Sequence, residues 1–301
     1  MACWVRLGRR GSLAVTDVSE SAWADWVGGK VRHAISTKSA GLERNGELAI
    51  SSSGGFVPIF KSWCGRIEDF KPDDGIRFRL VLADPPWNIS TKLGDFTFVD
   101  RNGKPHTPMV RDFGKWDAFN SHHDYLNAVS LWLRVLYNLA ADDAWCWFWC
   151  SYRYLSFIIA IGEQVGWHHI SWYAWLKTNS PPLIAQVNQT PINAIEPLII
   201  FRKGQPHLQL NGKTVPNYAV QPIVTAKRRP TTTNVTTKPL TILFDIIQWS
   251  TSPGDWVLDA FAGSGSGSEA ALRKCRNAYA VEADPMQEAL LPHKAKEWLP
   301  T

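Results

Sequence analysis

Two short stretches of this 301-residue chain combine acids, aromatics and glycines in patterns that could do chemistry. The first is Asp84-Pro85-Pro86-Trp87. Proline fixes φ and removes a backbone donor, so the pair stops the apolar run Val81–Ala83 and holds an acid and a flat aromatic side by side. The carboxyl end of a sheet strand is where α/β enzymes bind ligands. An ordinary Pro-Pro exit turn with a buried Trp is the structural alternative. The second stretch is Asp255–Leu272, where an apolar strand runs through Asp259 and Phe261 into Gly263-x-Gly265-x-Gly267 and then a helix. Glycines allow tight turning and close approach to a ligand. Glu282 follows Asp259 by 23 residues, and an acid about 20 residues beyond such a turn is placed to hold ribose hydroxyls. No Gly-Lys-Ser/Thr follows, so the pattern is not a phosphate loop; it reads as a nucleoside-type turn, with a flexible Gly/Ser turn as the structural alternative.

The elements around these motifs alternate. Val81–Ala83 reads as a buried strand, and a polar loop covers Thr91 to about Asn120. Ser121 opens a helix with Asp124 in capping-box position; Tyr125, Val129, Trp132, Val135, Leu136 and Leu139 recur at helical spacing, and Asp142-Asp143 ends it. Ala144–Cys150 is a continuous apolar strand. A helix (about Tyr154–Val165), strands at Ile170–Leu176 and Ile195–Phe201, a helix at Thr237–Ser250, a strand at Trp256–Ala260, a helix at Ser268–Cys275 and a strand at Ala278–Glu282 follow. This order predicts an α/β fold, a mixed, mostly parallel sheet with helices on both faces. Residues 1–55 read as a peripheral extension with one short helix across Glu20–Ala34, and residues 56–301 as the catalytic domain.

Taken together, Asp-Pro-Pro-Trp and Asp259-x-Phe261-x-Gly263-x-Gly265 resemble the S-adenosylmethionine-dependent amino-methyltransferases of nucleic-acid bases. Their order, with the tetrapeptide first, then a basic segment, then Thr237-Lys238-Pro239-Leu240, then the glycine turn, is similar to the beta class of DNA adenine-N6 and cytosine-N4 methyltransferases. The resemblance covers about residues 60–290 and includes Trp116-Asp117-x-Phe119 with Tyr125-Leu126, Trp175-x-Lys177 and Glu196–Lys203. It implies a Rossmann-like, circularly permuted methyltransferase fold and transfer of a methyl group to a flipped adenine in duplex DNA. Asp84, Pro85, Pro86 and Trp87 would be catalytic. Asp84, Lys238, Asp259, Phe261, Ala262, Gly263, Ser264, Gly265 and Glu282 would bind the cofactor. The family's Gly-Asp pair ahead of the catalytic motif is replaced here by Ser62-Trp63-Cys64-Gly65, so no residue is assigned to the cofactor's adenine. RNA adenosine-N6 methylation, DNA cytosine-N4 methylation and a catalytically inactive nucleic-acid-binding subunit are the alternatives. Asp at position 84, where the cytosine enzymes have Ser, disfavours the second; intact motifs disfavour the third.

In this reading Asp84 accepts one hydrogen bond from the target amine and the Pro85 carbonyl the other, favouring the pyramidal, charge-developing nitrogen. Trp87 offers a stacking face to the extruded base. Seven basic residues and no acid lie between Arg202 and Lys238, so the net charge of +5 is concentrated there. Residues 202–237 are the expected target-recognition region, with Lys213, Lys227, Arg228 and Arg229 as phosphate contacts. Residues 91–120 form a second candidate DNA-facing loop.

Composition closes other routes. With 45% hydrophobic and 20% charged residues the chain is ordinary for a globular protein. No apolar run approaches the ~20 residues of a membrane span, and no signal peptide is visible. Cys3, Cys64, Cys146, Cys150 and Cys275 form no Cys-x-x-Cys pair, which points away from zinc or a disulfide framework; no metal is expected. His122-His123 fits no common metal motif and reads as a helix start. The expected setting is intracellular, cytoplasmic for a prokaryotic or phage protein and nuclear for a eukaryotic one. A homodimer or a methyltransferase-like partner subunit is the further expectation from the resemblance.

Overall fold

A computed structural model describes residues 6–8, 58–73, 75–89, 98–99, 105–106, 117–180, 191, 193–224 and 237–298. Its strands are β1 (Arg6–Gly8), β2 (Ile59–Cys64), β3 (Phe78–Ala83), β4 (Phe98–Val99), β5 (Pro105–His106), β6 (Ala140–Trp149), β7 (His168–Lys177), β8 (Ile195–Lys203), β9 (Tyr218–Gln221), β10 (Trp256–Asp259) and β11 (Asn277–Glu282). Its α-helices are α1 (His122–Leu139), α2 (Leu155–Val165), α3 (Leu240–Ser250), α4 (Ser266–Arg273) and α5 (Pro285–Glu297).

Nine strands form one sheet in the order β1-β2-β11-β10-β3-β6-β8-β7-β9. Only β8 runs against the others, antiparallel to both β6 and β7. The sheet is therefore mixed and mostly parallel, as the alternation of elements predicts. Both faces are buried, which explains the unbroken apolar run in β6. Trp145, Trp147 and Trp149 join the core beneath α3, α4 and α5, while Ala144, Cys146 and Phe148 join the core beneath α1 and α2. A strand buried on two sides has no room for polar groups along its middle, so the chemistry is confined to strand ends.

The helices start and stop where their residues dictate. Ser121 Oγ accepts from the Asp124 backbone N–H at 3.0 Å, and the stripe Tyr125, Val129, Trp132, Leu133, Leu136 and Leu139 is buried. Gly166 closes α2 in the left-handed conformation with φ 118°. Asp284 caps α5, accepting from the Met286 N–H, with Pro285 at the first position.

Several expectations are corrected. The strand after α1 begins at Ala140, so Asp142 and Asp143 lie in β6 rather than ending the helix; they are exposed. Residues 6–8, assigned to a peripheral extension, add edge strand β1 to the main sheet. The 91–120 loop contains the antiparallel pair β4–β5, and its last residues reach the site described below. The 202–237 region starts inside β8 and contains β9. Strand β2 and helix α5 were not anticipated. The Glu20–Ala34 helix lies outside the described residues.

Gly265 combines φ +83° with a position where a Cβ would stand 2.5 Å from the Trp298 ring and 2.7 Å from Leu291. Gly265→Ala should lower unfolding stability by about 2–4 kcal/mol, from left-handed strain plus overpacking. Urea titration checks this; a loss below ~0.5 kcal/mol, the scale of an ordinary surface change, would refute the packing argument.

Candidate active site

The two motifs meet because β3 and β10 are hydrogen-bonded neighbours. Leu82 pairs with Asp259, and the Ala260 N–H donates to the Leu82 carbonyl at 2.9 Å. Both strands are parallel, so Asp84 and the glycine turn emerge at the same carboxyl edge. Together they line a cleft at this edge of the sheet. Asp84, Lys238, Asp259, Phe261, Ala262, Gly263 and Ser264 all line it, with Trp149 opposite.

Asp84 is held from two sides. Its Oδ2 lies 2.7 Å from Lys238 Nζ, and its Oδ1 accepts from Trp87 Nε1 at 3.1 Å. Lys238 is 6% exposed and also lies 3.4 Å from Glu196 Oε2. Its ammonium stands 4.9 Å from the centre of the Trp87 ring, so one face of the expected stacking platform is already covered by a cation. Burial pushes the Asp84 carboxyl above the ordinary aspartate range, against the opposing pull of Lys238. Lys238 is raised: its two carboxylates outweigh the desolvation that acts to lower it.

Asp117 builds the Asp-Pro-Pro-Trp loop. It is 1% exposed; Oδ1 accepts from the Trp87 and Asn88 N–H groups at 2.6 and 2.8 Å, and Oδ2 from Ile89 N–H at 3.0 Å. Three donors converging on one carboxylate turn the chain sharply, and Asn88 adopts φ +53°. Asn88 Nδ2 donates to Tyr154 Oη at 3.1 Å, and His122 Nδ1 lies 2.5 Å from the same oxygen. The His122 of the helix start thus buttresses this loop.

The glycine side is organised by two acids. Asp259 Oδ2 accepts from the backbone N–H and Oγ of Ser268 at 2.8 and 2.9 Å, tying the strand to α4. A Cβ on Gly267 would stand 2.8 Å from the Asp259 carboxyl carbon, so only glycine fits there. Burial raises Asp259 to about 7. Glu282, also raised by burial, accepts from the Gly263 N–H at 2.6 Å and the Asp284 N–H at 2.9 Å. Gly265 and Glu282 do not contribute to the cleft lining: Gly265 packs on α5, and Glu282 holds the turn from behind. The Ser62–Gly65 segment ends beside it, with the Gly65 N–H donating to the Glu282 carbonyl at 2.9 Å.

Residues 78–290 match the DNA methylase family of N6/N4 methyltransferases. The chain belongs to this family. It is 24% identical to type II methyltransferase M.HinfI of Haemophilus influenzae over 241 residues, 75% of this chain and 64% of that protein. It is also 24% identical to type II methyltransferase M2.DpnII of Streptococcus pneumoniae, over 68% of this chain and 77% of that protein. The match thus spans somewhat under two thirds of the first relative's length. Among solved structures, the M1.HpyAVI–SAM complex superposes with a TM-score of 0.57 at 19% identity, covering 79% of this chain and 98% of that one. The PvuII DNA methyltransferase, described as cytosine-N4-specific, gives 0.57 at 17% identity, covering 79% and 90%. These likenesses are of fold: an α/β DNA methylase scaffold with a mixed, mostly parallel sheet.

The sequence left several site residues without a role. Asp117, Lys177 and Glu196 stood only as weak matches inside Trp116–Phe119, Trp175-x-Lys177 and Glu196–Lys203, and those matches were the available signal. Trp149 was taken as core; it is buried, yet it also lines the cleft, and its indole N–H has no partner. Lys213 is exposed in the segment before β9, whereas Lys227, Arg228 and Arg229 lie outside the described residues. Lys203, counted in the basic segment, bonds the Tyr137 and Ala140 carbonyls and so serves the fold. Among the described residues no group of three or more potential metal ligands converges, and no helix is long and apolar enough to cross a membrane.

Hydrogen bonds to a charged acceptor contribute about 1.5–3 kcal/mol each. Asp117→Ala should therefore raise amide exchange at Trp87, Asn88 and Ile89 at least tenfold over wild type, read by hydrogen-exchange mass spectrometry. Unchanged protection of all three amides would remove Asp117 as the organiser of the loop.

Proposed function

We propose that this chain uses S-adenosylmethionine to methylate N6 of adenine in DNA, taking the base flipped from the duplex. The observation that carries the reading is the single cleft in which Asp84 faces the Asp259–Gly267 turn. The cleft suits the cofactor on its own terms. Gly263 takes the left-handed φ of +49° that glycine allows, and Gly263 and Ser264 lie in the cleft lining. Asp259, which lines the cleft, is raised by burial, so a ligand carrying positive charge is favoured beside it. S-adenosylmethionine supplies a methyl group on a positively charged sulfur. Asp259, Phe261, Ala262, Gly263 and Ser264 would hold it, with Lys238 and Glu282 fixing the surrounding charge and turn.

Asp84 would accept a hydrogen bond from the target amine and the Pro85 carbonyl a second, drawing electron density onto a nitrogen whose lone pair is otherwise delocalised into the ring. Pro86 fixes the approach of the loop. Trp87 offers its uncovered face to the base; one aromatic stack returns ~1–3 kcal/mol toward an extrusion cost of a few kcal/mol. The chain order, with the Asp84 loop before the glycine turn, supports the permuted topology. Adenine is favoured over cytosine by Asp84 itself; the PvuII likeness keeps cytosine N4 as the second reading, and RNA adenosine as the third.

Nucleoside mass spectrometry of DNA and RNA incubated with protein and S-adenosylmethionine should show N6-methyladenine in DNA. Asp84→Ala should lower kcat about 10²–10³-fold, the scale for losing one preorganised transition-state contact, while S-adenosylmethionine affinity stays within about threefold by calorimetry. Activity within tenfold of wild type would exclude Asp84 as the acceptor.

The basic segment gives a separate test. Replacing Lys227, Arg228 and Arg229 with Ala should flatten the log–log dependence of DNA affinity on salt by about two to three, near 0.9 per phosphate contact. The drop should be similar on any duplex sequence, because phosphate contacts carry no base information. A triple variant whose slope equals wild type would move the DNA-binding surface elsewhere.

A further inference from the structure

Four charges of alternating sign run into the site from four elements. Lys177 Nζ on β7 lies 2.5 Å from Glu196 Oε1 on β8. Glu196 Oε2 lies 3.4 Å from Lys238 Nζ, ahead of α3, and Lys238 Nζ lies 2.7 Å from Asp84 Oδ2, after β3. Glu196 is 9% exposed. Lys177 and Lys238 also lie over aromatic rings, Trp175 and Trp87. If the only requirement were to neutralise Lys238, Asp84 alone would meet it; a second acid and a second cation need another reason.

We infer that Glu196 and Lys177 are positioning residues that divide the Lys238 charge between two carboxylates and keep the site electrically neutral around the attacking amine. The inference rests on the methyl-transfer reading. In that reaction the amine lone pair forms the N–C bond while the C–S electron pair returns to sulfur. Positive charge moves onto the nitrogen until one N–H proton leaves for Asp84 and then water. A surplus positive charge beside that nitrogen raises the barrier, and at low dielectric a single unit counts heavily. With Glu196 in place, Lys238 restrains Asp84 without consuming it, and Lys177 cancels the negative charge that Glu196 adds.

The groups facing Asp84 are Lys238, Glu196, Trp87 in its own loop, Asp259 from β10, Cys150 after β6 and Tyr125 from α1. Glu196 raises Asp84 and Lys238 lowers it. Removing the Glu196 charge should therefore let Asp84 stay ionised to lower pH, and removing Lys177 should do the opposite.

The test compares wild type with Glu196→Gln, Lys177→Gln, the double variant and Glu196→Asp. Carboxyl carbon NMR follows the Asp84 titration without DNA, the signal being identified by its loss in Asp84→Asn; kcat and KM are measured on adenine-containing DNA. Glu196→Gln should move the Asp84 titration to lower pH and cut kcat about ten- to hundredfold, a one- to two-unit change in differential interaction, with KM for S-adenosylmethionine within about twofold. Lys177→Gln should move the titration to higher pH. The double variant should recover at least about tenfold of the lost kcat over Glu196→Gln, as expected for coupled neighbours, and Glu196→Asp, which keeps the charge, should stay near wild type. Shifts of opposite sign from two neighbouring replacements do not arise from loosened packing. Titrations that do not move, that move in one direction in both variants, or a double variant no faster than Glu196→Gln would overturn the inference. A Glu196→Gln protein that fails to fold leaves Lys177→Gln to decide by its upward shift. A wild type that methylates cytosine N4 or RNA overturns the adenine reading alone, because the titrations need no substrate.

Discussion

Lys238 carries a full charge to a place where it is 6% exposed, and the positions of Asp84 and Glu196 follow from that. Removing one partner of such a buried pair typically costs about 3–5 kcal/mol, because the remaining charge is stranded. The loop after β3, the start of β8 and the segment before α3 must therefore arrive together or not at all. Once Asp84 is fixed by Lys238, the rest of its loop is determined by Asp117, whose carboxylate gathers three successive N–H groups. Trp87 is then held with its indole N–H on Asp84 and its ring under Lys238. One ion pair thus sets Asp84, Trp87 and the approach of the chain.

The sheet decides where such a site can exist. Trp145, Trp147 and Trp149 on one face and Cys146 and Phe148 on the other leave the second half of β6 no place for a charge. Parallel strands bring their carboxyl ends to one edge, and the register Leu82↔Asp259 sets the two motif ends level. Buried polar groups are acceptable there because free backbone N–H groups in the turn and the first helical turn beyond the strand are available as donors: Gly263 N–H for Glu282, Ser268 N–H for Asp259. The glycines follow from the same crowding. Gly267 makes room for the Asp259 carboxyl and Gly265 for Trp298, so one serves the site and the other serves α5.

Much of this was legible in the residues. The alternation of apolar strands with capped helices foretold the sheet, and the Asp84 and Asp259 motifs foretold the cleft, because each depends on local rules of proline, glycine and periodicity. What escaped was set by distant pairing. Strand β2 carries Lys61 and Ser62 among its six residues, and only its partnership with β11 makes it a strand. Asp142 and Asp143 looked like a helix stop because two acids are unwelcome in a buried strand, yet they occupy exposed positions near the start of β6. Glu196 and Asp117 were visible only as members of weakly matching stretches: nothing in their neighbours along the chain says that one will meet Lys238 and the other Trp87. Glu282 shows the converse. Its spacing from Asp259 suggested a ligand contact, and what the spacing did not show is that its carboxylate also accepts from the Gly263 and Asp284 N–H groups.

The acids around the cleft also have a thermodynamic consequence. Asp259 in the folded chain titrates at about 7, against ~3.9 for an exposed aspartate. The folded state thus keeps a proton that the unfolded state has released, and this group's contribution to stability falls as pH rises from about 4 to about 7. Glu282 and Asp84 act in the same direction, and each raises Asp259 further by its own charge. Lys238 cannot relieve all three, since its ammonium is already divided between Asp84 and Glu196. A ligand that brings positive charge beside Asp259 would lower that acid, and its binding would be coupled to proton release near neutral pH.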